Sequence, residues 1–383
     1  MQIDEIKDLF YNNFGSSCRI FSAPGRINII GEHTDYNNGF VLPAAIDKRV
    51  YLAIAATDDW VITINSVDYN ETVSFNLFAS AVALPHWAIY PYGVVQEIKE
   101  LGCLLGGFNA VVCGEIPTGA GLSSSAALES VFTFALNTLF DLNLDTMTLA
   151  KIGQKAEHNY AKVKCGIMDQ FASLHGKSGQ VIKLDCRSLD YEYFPLELGD
   201  YEFILVDTGV KHSLASSEYN LRRQQCDEGV KALQQINTTI KSLRDIAPND
   251  LLPIKGKVSE KAYLCCEYVA EENIRVLETC DALNNNHIER VGKLMYESHA
   301  GLRDKYKVSC DELDLLVDTS LSIDGVIGSR MMGGGFGGCT LNLVKKKRTE
   351  EFKARIEIAY IQKYGKKPTF YEVNIDKGAA EIE

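Results

Sequence analysis

The stretch "SAPGRINIIGEHTDYNNGFVLPAA", residues 22–45, decides how this chain is read. Both ends are apolar and look like buried strand. Between them stand Arg26, Asn28, Glu32, His33 and Asp35, each able to hydrogen-bond or carry charge. A polar surface loop would account for them, because charged side chains are mostly exposed. Whether a ligand accounts for them better depends on the rest of the chain.

The 383 residues suggest two domains or one large one. Hydrophobic residues make up 46% and charged residues 23%, so a sizeable core is available. The net charge of -12 argues against a nucleic-acid partner, whose binding draws on a basic face. An anionic ligand must then be held by local features: a helix N-terminus, a nest of backbone N–H groups, a metal ion or a single arginine. The 11 cysteines form no CxxC pair and fit neither a zinc site nor a disulfide framework. They read as thiols of a reducing cytoplasm. The opening "MQIDEIKDLFYNNFG" reads as an acidic amphipathic helix, without the basic start of a signal peptide. No apolar run reaches the roughly 18 residues of a membrane span. A cytoplasmic protein with no membrane partner is expected.

Strands are expected in 51–66, 71–77, 107–117, 180–187 and 201–210, and helices in 87–102, 123–141, 148–163, 165–176 and 217–236. Helix dominates 240–330, with 261–283 the longest periodic run. A strand, a helix and a strand close the chain at 337–346, 349–365 and 369–375. A soft boundary near residue 200, with no linker, divides it into 1–200 and 201–383. Periodicity alone supports mixed α and β.

One loop stands out. "GEIPTGAGLSSSAALES" (114–130) lies between an apolar strand and a long helix with a serine cap. Gly119 and Gly121 allow positive φ and close approach by a ligand. Ser123, Ser124 and Ser125 sit at the helix start, where unpaired N–H groups and the dipole favour an anion. An ordinary glycine turn with an N-cap would look similar. The loop lacks the lysine of the GxxxxGK[ST] phosphate loop and the spacing of GxGxxG, so a nucleotide site here belongs to another superfamily.

"PTGAGLSSSAA" resembles the nucleotide-binding motif of the GHMP kinases. "APGRINIIGEHTDYNNG" resembles the sugar signature of that family's galactose-phosphorylating branch, and "MMGGGFGGCTLNLV" (331–344) its C-terminal motif. With "AEHNYAKVKCGIMDQFAS" and "SEYNLRRQQC", the resemblance spans roughly residues 20–345 in family order. It implies an α+β fold of two lobes, a ribosomal S5 domain-2-like N-terminal lobe and a ferredoxin-like C-terminal lobe, with the active site between them. It also implies ATP-dependent phosphorylation of α-D-galactose at the anomeric hydroxyl, which feeds the Leloir pathway.

The same resemblance assigns roles. Asp169 would be the base, and Arg26 would favour its ionised form and stabilise phosphoryl charge. Glu32 would hold the 6-hydroxyl and Asp35 the 3- and 4-hydroxyls, with His33, Gly166 and Tyr219 beside the sugar. Gly119, Ala120, Gly121, Leu122, Ser123, Ser124 and Ser125 would hold the nucleotide, and Trp87 and Tyr90 would flank adenine. Ser125 and Glu157 would bind Mg²⁺. Plainer readings exist: a helix cap for Asp169, a solvated face for Glu157, core packing for Trp87, Tyr90 and Tyr219. The implied partners are galactose and ATP, and the expected state is a monomer or weak homo-oligomer. An N-acetylgalactosamine kinase, or a sensor that binds both substrates without turnover, would share many of these residues. The intact "GEHTDYN" and "SSSA" favour an active galactose-type enzyme.

Overall fold

The strand-like runs assemble into three sheets in the computed structural model. It describes residues 3–79, 83–117, 119–210 and 215–382, without the side chains of 215–217. Thr118 of the glycine–serine loop, and Met1 and Gln2 of the stretch expected to form the first helix, lie outside the described residues.

The largest sheet has six strands, in the order Ala380–Ile382, Arg19–Asn28, Pro43–Ala56, Phe108–Gly114, Val61–Ser66 and Glu71–Asn76. Val61–Ser66 runs parallel to Phe108–Gly114, and the other pairs are antiparallel. Both faces of the central strands are covered, so Arg19–Asn28 is buried at every position after the first. Ile20, Ala53 and Val111 alternate toward Ile6 and Phe10 of the N-terminal helix Ile3–Phe14. Phe21, Leu52 and Val112 face the main core. Helices Ser124–Leu139 and Met168–His175 pack on the strands Arg19–Asn28 and Pro43–Ala56.

The pairing of Arg19–Asn28 with Pro43–Ala56 slips between Pro24 and Arg26. A bulge of this kind re-aims the next side chain. Gly25 sits at the slip, where a Cβ would lie 2.8 Å from the Leu122 carbonyl oxygen. The amide of Arg26 then donates to that same oxygen at 3.2 Å. The first strand is thereby fastened to the glycine–serine loop.

A four-stranded antiparallel sheet has the order Val326–Met331, Cys339–Lys345, Tyr201–Asp207 and Thr369–Val373. In chain order the segment runs strand, helices, two strands, helix Thr349–Tyr364, strand, which is the split βαβ arrangement that the resemblance implied. A third sheet joins Phe40–Val41, Gln180–Asp185 and Tyr191–Pro195. Apolar residues of the two larger sheets, such as Leu52 and Leu341, share one core. Ala380–Ile382 returns to the edge of the first sheet. Arg49 holds the approach to it by donating to Asp376 (3.0 Å) and to the carbonyls of Lys377 and Gly378.

Three expected elements differ. The run 51–66 is two strands separated by a turn. The helix expected over 148–163 is α only over Thr146–Ala156 and continues as a π-helical turn, Glu157–Ala161. The helix expected from 123 begins at Ser124, after a residue in the left-handed conformation. Strands Tyr191–Pro195, Val326–Met331 and Ala380–Ile382 carried no clean period. The first exposes most of its residues, and the second contains Gly328, Ser329 and the fully buried Arg330.

Candidate active site

The polar residues of the opening stretch are not on the surface. Arg26, Asn28, Glu32 and His33 are each 4% exposed or less. Buried polar groups need partners, and most of these have them within the chain. Arg26 points Nε and Nη2 at the two oxygens of Asp169, at 2.8 and 3.0 Å, and Nη1 at the Gly121 carbonyl at 2.6 Å. This is a bidentate, charge-assisted pair. Asp169 lies in the first turn of helix Met168–His175, but the capping position is Ile167, so the carboxylate is not a helix cap.

Ser123 precedes the helix Ser124–Leu139 with φ +57° and makes no side-chain cap. The expected serine cap is therefore absent. Its Oγ donates instead to Oδ2 of Asp169 at 2.5 Å. The first-turn N–H groups of the 16-residue helix are left without a capping side chain, the condition for an anion site. Gly119 and Gly121 have φ of +84° and +76°, as their identity allowed. Ala120 and Leu122 are buried, so their side chains anchor the loop and only their backbone can face a ligand.

Glu32 pairs with Arg330, whose Nη2 lies 2.7 Å from Oε1. The Gly333 amide donates to the same oxygen at 2.8 Å, and Arg330 Nη1 donates to the Asn28 carbonyl. The C-terminal glycine motif thus clasps the opening stretch. Its other side meets the glycine–serine loop: a Cβ on Gly121 would lie 3.3 Å from the Met332 carbonyl oxygen. Sequence reasoning missed Arg330; an arginine in a run leading into "MMGGGFGG" was the available signal.

His33 Nδ1 lies 2.7 Å from the Tyr36 hydroxyl, and its ring packs on that of Tyr219, with centroids 5.4 Å apart. Burial and the nearby Arg222 push His33 down to about 3, so the ring is neutral. Burial and the charge of Asp169 push the half-buried Asp35 up to about 7. A Cβ at Gly166 would fall 1.8 Å from Oδ2 of Asp35, so this position has room only for glycine. Arg26, Glu32, His33, Asp35, Gly166, Asp169 and Tyr219 line one cleft together with Glu157 and Gly333.

A second cleft adjoins it, lined by Trp87, Tyr90, Ser124, Ser125 and Tyr69. Trp87 is buried, with Nε1 donating to Glu71 at 2.8 Å; its ring lies parallel to that of the exposed Tyr69, 6.0 Å between centroids. Tyr69 was not foreseen, because it sits in a strand-to-strand turn that carries no ligand signal. The two clefts meet at Ser125, whose Oγ donates to Glu157 Oε1 at 3.4 Å. The other oxygen of Glu157 accepts from Gln170 (2.9 Å) and from the Cys165 thiol (3.3 Å). Glu157 is buried rather than a solvated helix face, and burial with the charge of Asp169 pushes it up to about 7.

Among the described residues no group of three or more His, Cys, Asp or Glu could hold a metal ion. Ser125 and Glu157 do offer two hard oxygens where the clefts join. That suits a cation such as Mg²⁺, which takes few protein ligands and completes its shell with phosphate and water.

Comparison with known proteins places this geometry. The GHMP kinase N-terminal domain matches residues 90–177 and the GHMP kinase C-terminal domain residues 280–362. The mevalonate kinase of Methanococcus jannaschii, 19% identical, shares the fold with a TM-score of 0.64 over 94% of this chain and 99% of that one. Fold and domains thus define a two-lobed α+β GHMP kinase. The galactokinase galactose-binding signature matches residues 8–56. The galactokinase of Thermosipho africanus is 43% identical over 361 residues, covering 94% of this chain and 99% of that protein. That of Bacillus subtilis is 38% identical over 387 residues, covering 99% of both. A crystal structure of Lactococcus lactis galactokinase complexed with galactose, 33% identical, matches with a TM-score of 0.94 over 99% of this chain and 100% of that one. The chain belongs to the galactokinase family of sugar kinases.

Proposed function

We propose that this enzyme transfers the γ-phosphoryl group of ATP to the anomeric hydroxyl of α-D-galactose, giving galactose 1-phosphate and ADP. The observation that carries the reading is the Asp169 carboxylate of the first cleft, gripped by Arg26 and Ser123. Asp169 takes the proton of the anomeric hydroxyl as its oxygen bonds to the γ-phosphorus, and the bond from that phosphorus to the bridging oxygen of ADP breaks. Arg26 keeps its positive charge throughout and stabilises the negative charge on the transferring group.

Glu32, His33, Asp35 and Tyr219 meet the sugar's hydroxyls in the first cleft, where each hydroxyl removed from water needs a partner. Gly166 leaves room for Asp35 to do so. The backbone of residues 119–122 and the start of helix Ser124–Leu139 receive the phosphates, and Trp87 and Tyr90, with Tyr69, flank adenine. Ser125 and Glu157 would hold Mg²⁺, which neutralises phosphate charge when bound. The reading includes a cytoplasmic monomer or weak homo-oligomer. No helix among the described residues is long and apolar enough to cross a membrane.

Phosphorus NMR of the product made from galactose and ATP tests the regiochemistry. A new phosphate signal split by the anomeric proton is expected. A phosphate coupled to the 6-methylene protons would overturn it.

A further inference from the structure

The neutral ring of His33 can hold its one proton on either nitrogen, and the two choices present opposite faces to the cleft. Nδ1 lies 2.7 Å from the Tyr36 hydroxyl, and that hydroxyl lies 2.8 Å from the hydroxyl of Tyr306. Tyr306 in turn lies 3.4 Å from the thiol of Cys226. Tyr306 and Cys226 are fully buried and come from the C-terminal half of the chain. Tyr306 closes a π-helical turn, Leu302–Tyr306, whose end is pinned by Arg222 donating to the carbonyls of Tyr306 and Lys307. Such turns are often found at functional sites. His33 Nε2 is buried, has no well-aligned partner, and lies beside the Gly334 backbone in the cleft wall.

We infer that Tyr36 and Tyr306 are positioning residues that hold His33 with Nδ1 as acceptor, so that Nε2 presents an N–H donor to a sugar oxygen in the cleft. A phenol is a better donor than a neutral imidazole N–H, and an imidazole nitrogen a better acceptor than a phenol oxygen. The shortest link of the chain is therefore Tyr36 O–H to Nδ1. Tyr36 then accepts from Tyr306, and Tyr306 accepts from the weak S–H donor of Cys226. Tyr36 and Tyr306 each give and receive in this direction, and the Nε2–H of His33 is the donor left without a well-aligned partner. The carboxylates Glu32 and Asp35 accept from hydroxyls, whereas His33 donates. The pocket then discriminates by the lone pairs of one sugar oxygen as well as by its protons. The inference rests on the sugar-pocket reading above.

The test is nitrogen-15 NMR of the full-length, histidine-labelled protein, with His33 assigned by its loss in His33→Gln. Wild type, Tyr36→Phe and Tyr306→Phe are compared with and without galactose, alongside steady-state kinetics. The wild type should show the Nε2–H tautomer, and galactose should move its Nε2 signal. Tyr36→Phe should give a mixture of tautomers and raise KM for galactose by roughly three- to tenfold, with KM for ATP unchanged. Tyr306→Phe should shift KM the same way by less. A wild-type Nδ1–H tautomer that still responds to galactose overturns the relay alone. No response of His33 to galactose removes it from the sugar pocket and overturns both. Should Tyr36→Phe fail to fold, the wild-type tautomer decides.

Discussion

The hydroxyl of Ser123 donates to Asp169 across 2.5 Å, while the helix that Ser123 precedes starts without a capping side chain. A serine before a helix ordinarily closes one of its free amides. Here the left-handed backbone turns the side chain toward the opposite strand–helix pair. One residue thereby leaves the helix N-terminus open for phosphate and gives the carboxylate a third donor beside the two from Arg26.

Asp169→Asn keeps the shape of that pair but removes the proton acceptor. Turnover should fall by about 10²- to 10⁴-fold with galactose affinity retained. Steady-state kinetics and calorimetric titration with galactose check this. Near-normal turnover would exclude Asp169 as the base.

Glu32 and Arg330 form a buried pair, so truncating one strands the other. Glu32→Ala should lose about 3–5 kcal/mol of stability in urea unfolding. It should also weaken galactose binding far more than ATP binding. An unchanged sugar affinity in the folded variant would contradict the placement of Glu32.

Gly166→Ala sets a methyl group where Oδ2 of Asp35 lies. Asp35 must move, so KM for galactose should rise by about tenfold or more while KM for ATP stays. Equal rises in both constants would indicate a general disturbance instead.

Ser125→Ala and Glu157→Gln each remove a hard oxygen from the junction of the clefts. The Mg²⁺ concentration needed for half-maximal rate, and for nucleotide binding by titration, should rise in both. An unaltered metal dependence in both would remove this pair from the metal site.

Asp35 is pushed up to about 7, chiefly by burial and then by Asp169, from an ordinary value of 3.8. Between those values the folded protein binds more protons than the unfolded chain, so its stability falls as pH rises through that window. Asp35→Asn should therefore raise the melting temperature of the unliganded protein at pH 8, by about a few degrees, and change it little at pH 4. A variant with the wild-type pH slope would contradict this.

Much of the site was legible because its motifs are local. The glycine–serine loop and the polar run at 26–35 stand out within a dozen residues each, whereas "GIMDQF" was singled out only through the family resemblance. What joins them was not legible. Nothing within either segment couples Arg330 to Glu32, which depends on how the two lobes meet, or Asp35 to Gly166, which depends on packing inside the N-terminal lobe. The lost cap at Ser123 was hidden for a different reason: local propensity favours capping, and a tertiary acceptor outcompetes it. The π-helical turn at Glu157 likewise leaves the helical period almost intact. For the fold, the strongly periodic elements were readable, whereas the short strand Ala380–Ile382 exists only through its pairing with Arg19–Asn28.

The central claim, that this site phosphorylates galactose, is tested most directly by ADP release. It would be measured with Mg²⁺ and ATP in the presence of galactose, N-acetylgalactosamine, glucose or no sugar. Rapid turnover with galactose, and little with the other three, is the predicted result. Turnover mainly with N-acetylgalactosamine, or galactose binding with no ADP released, would contradict it.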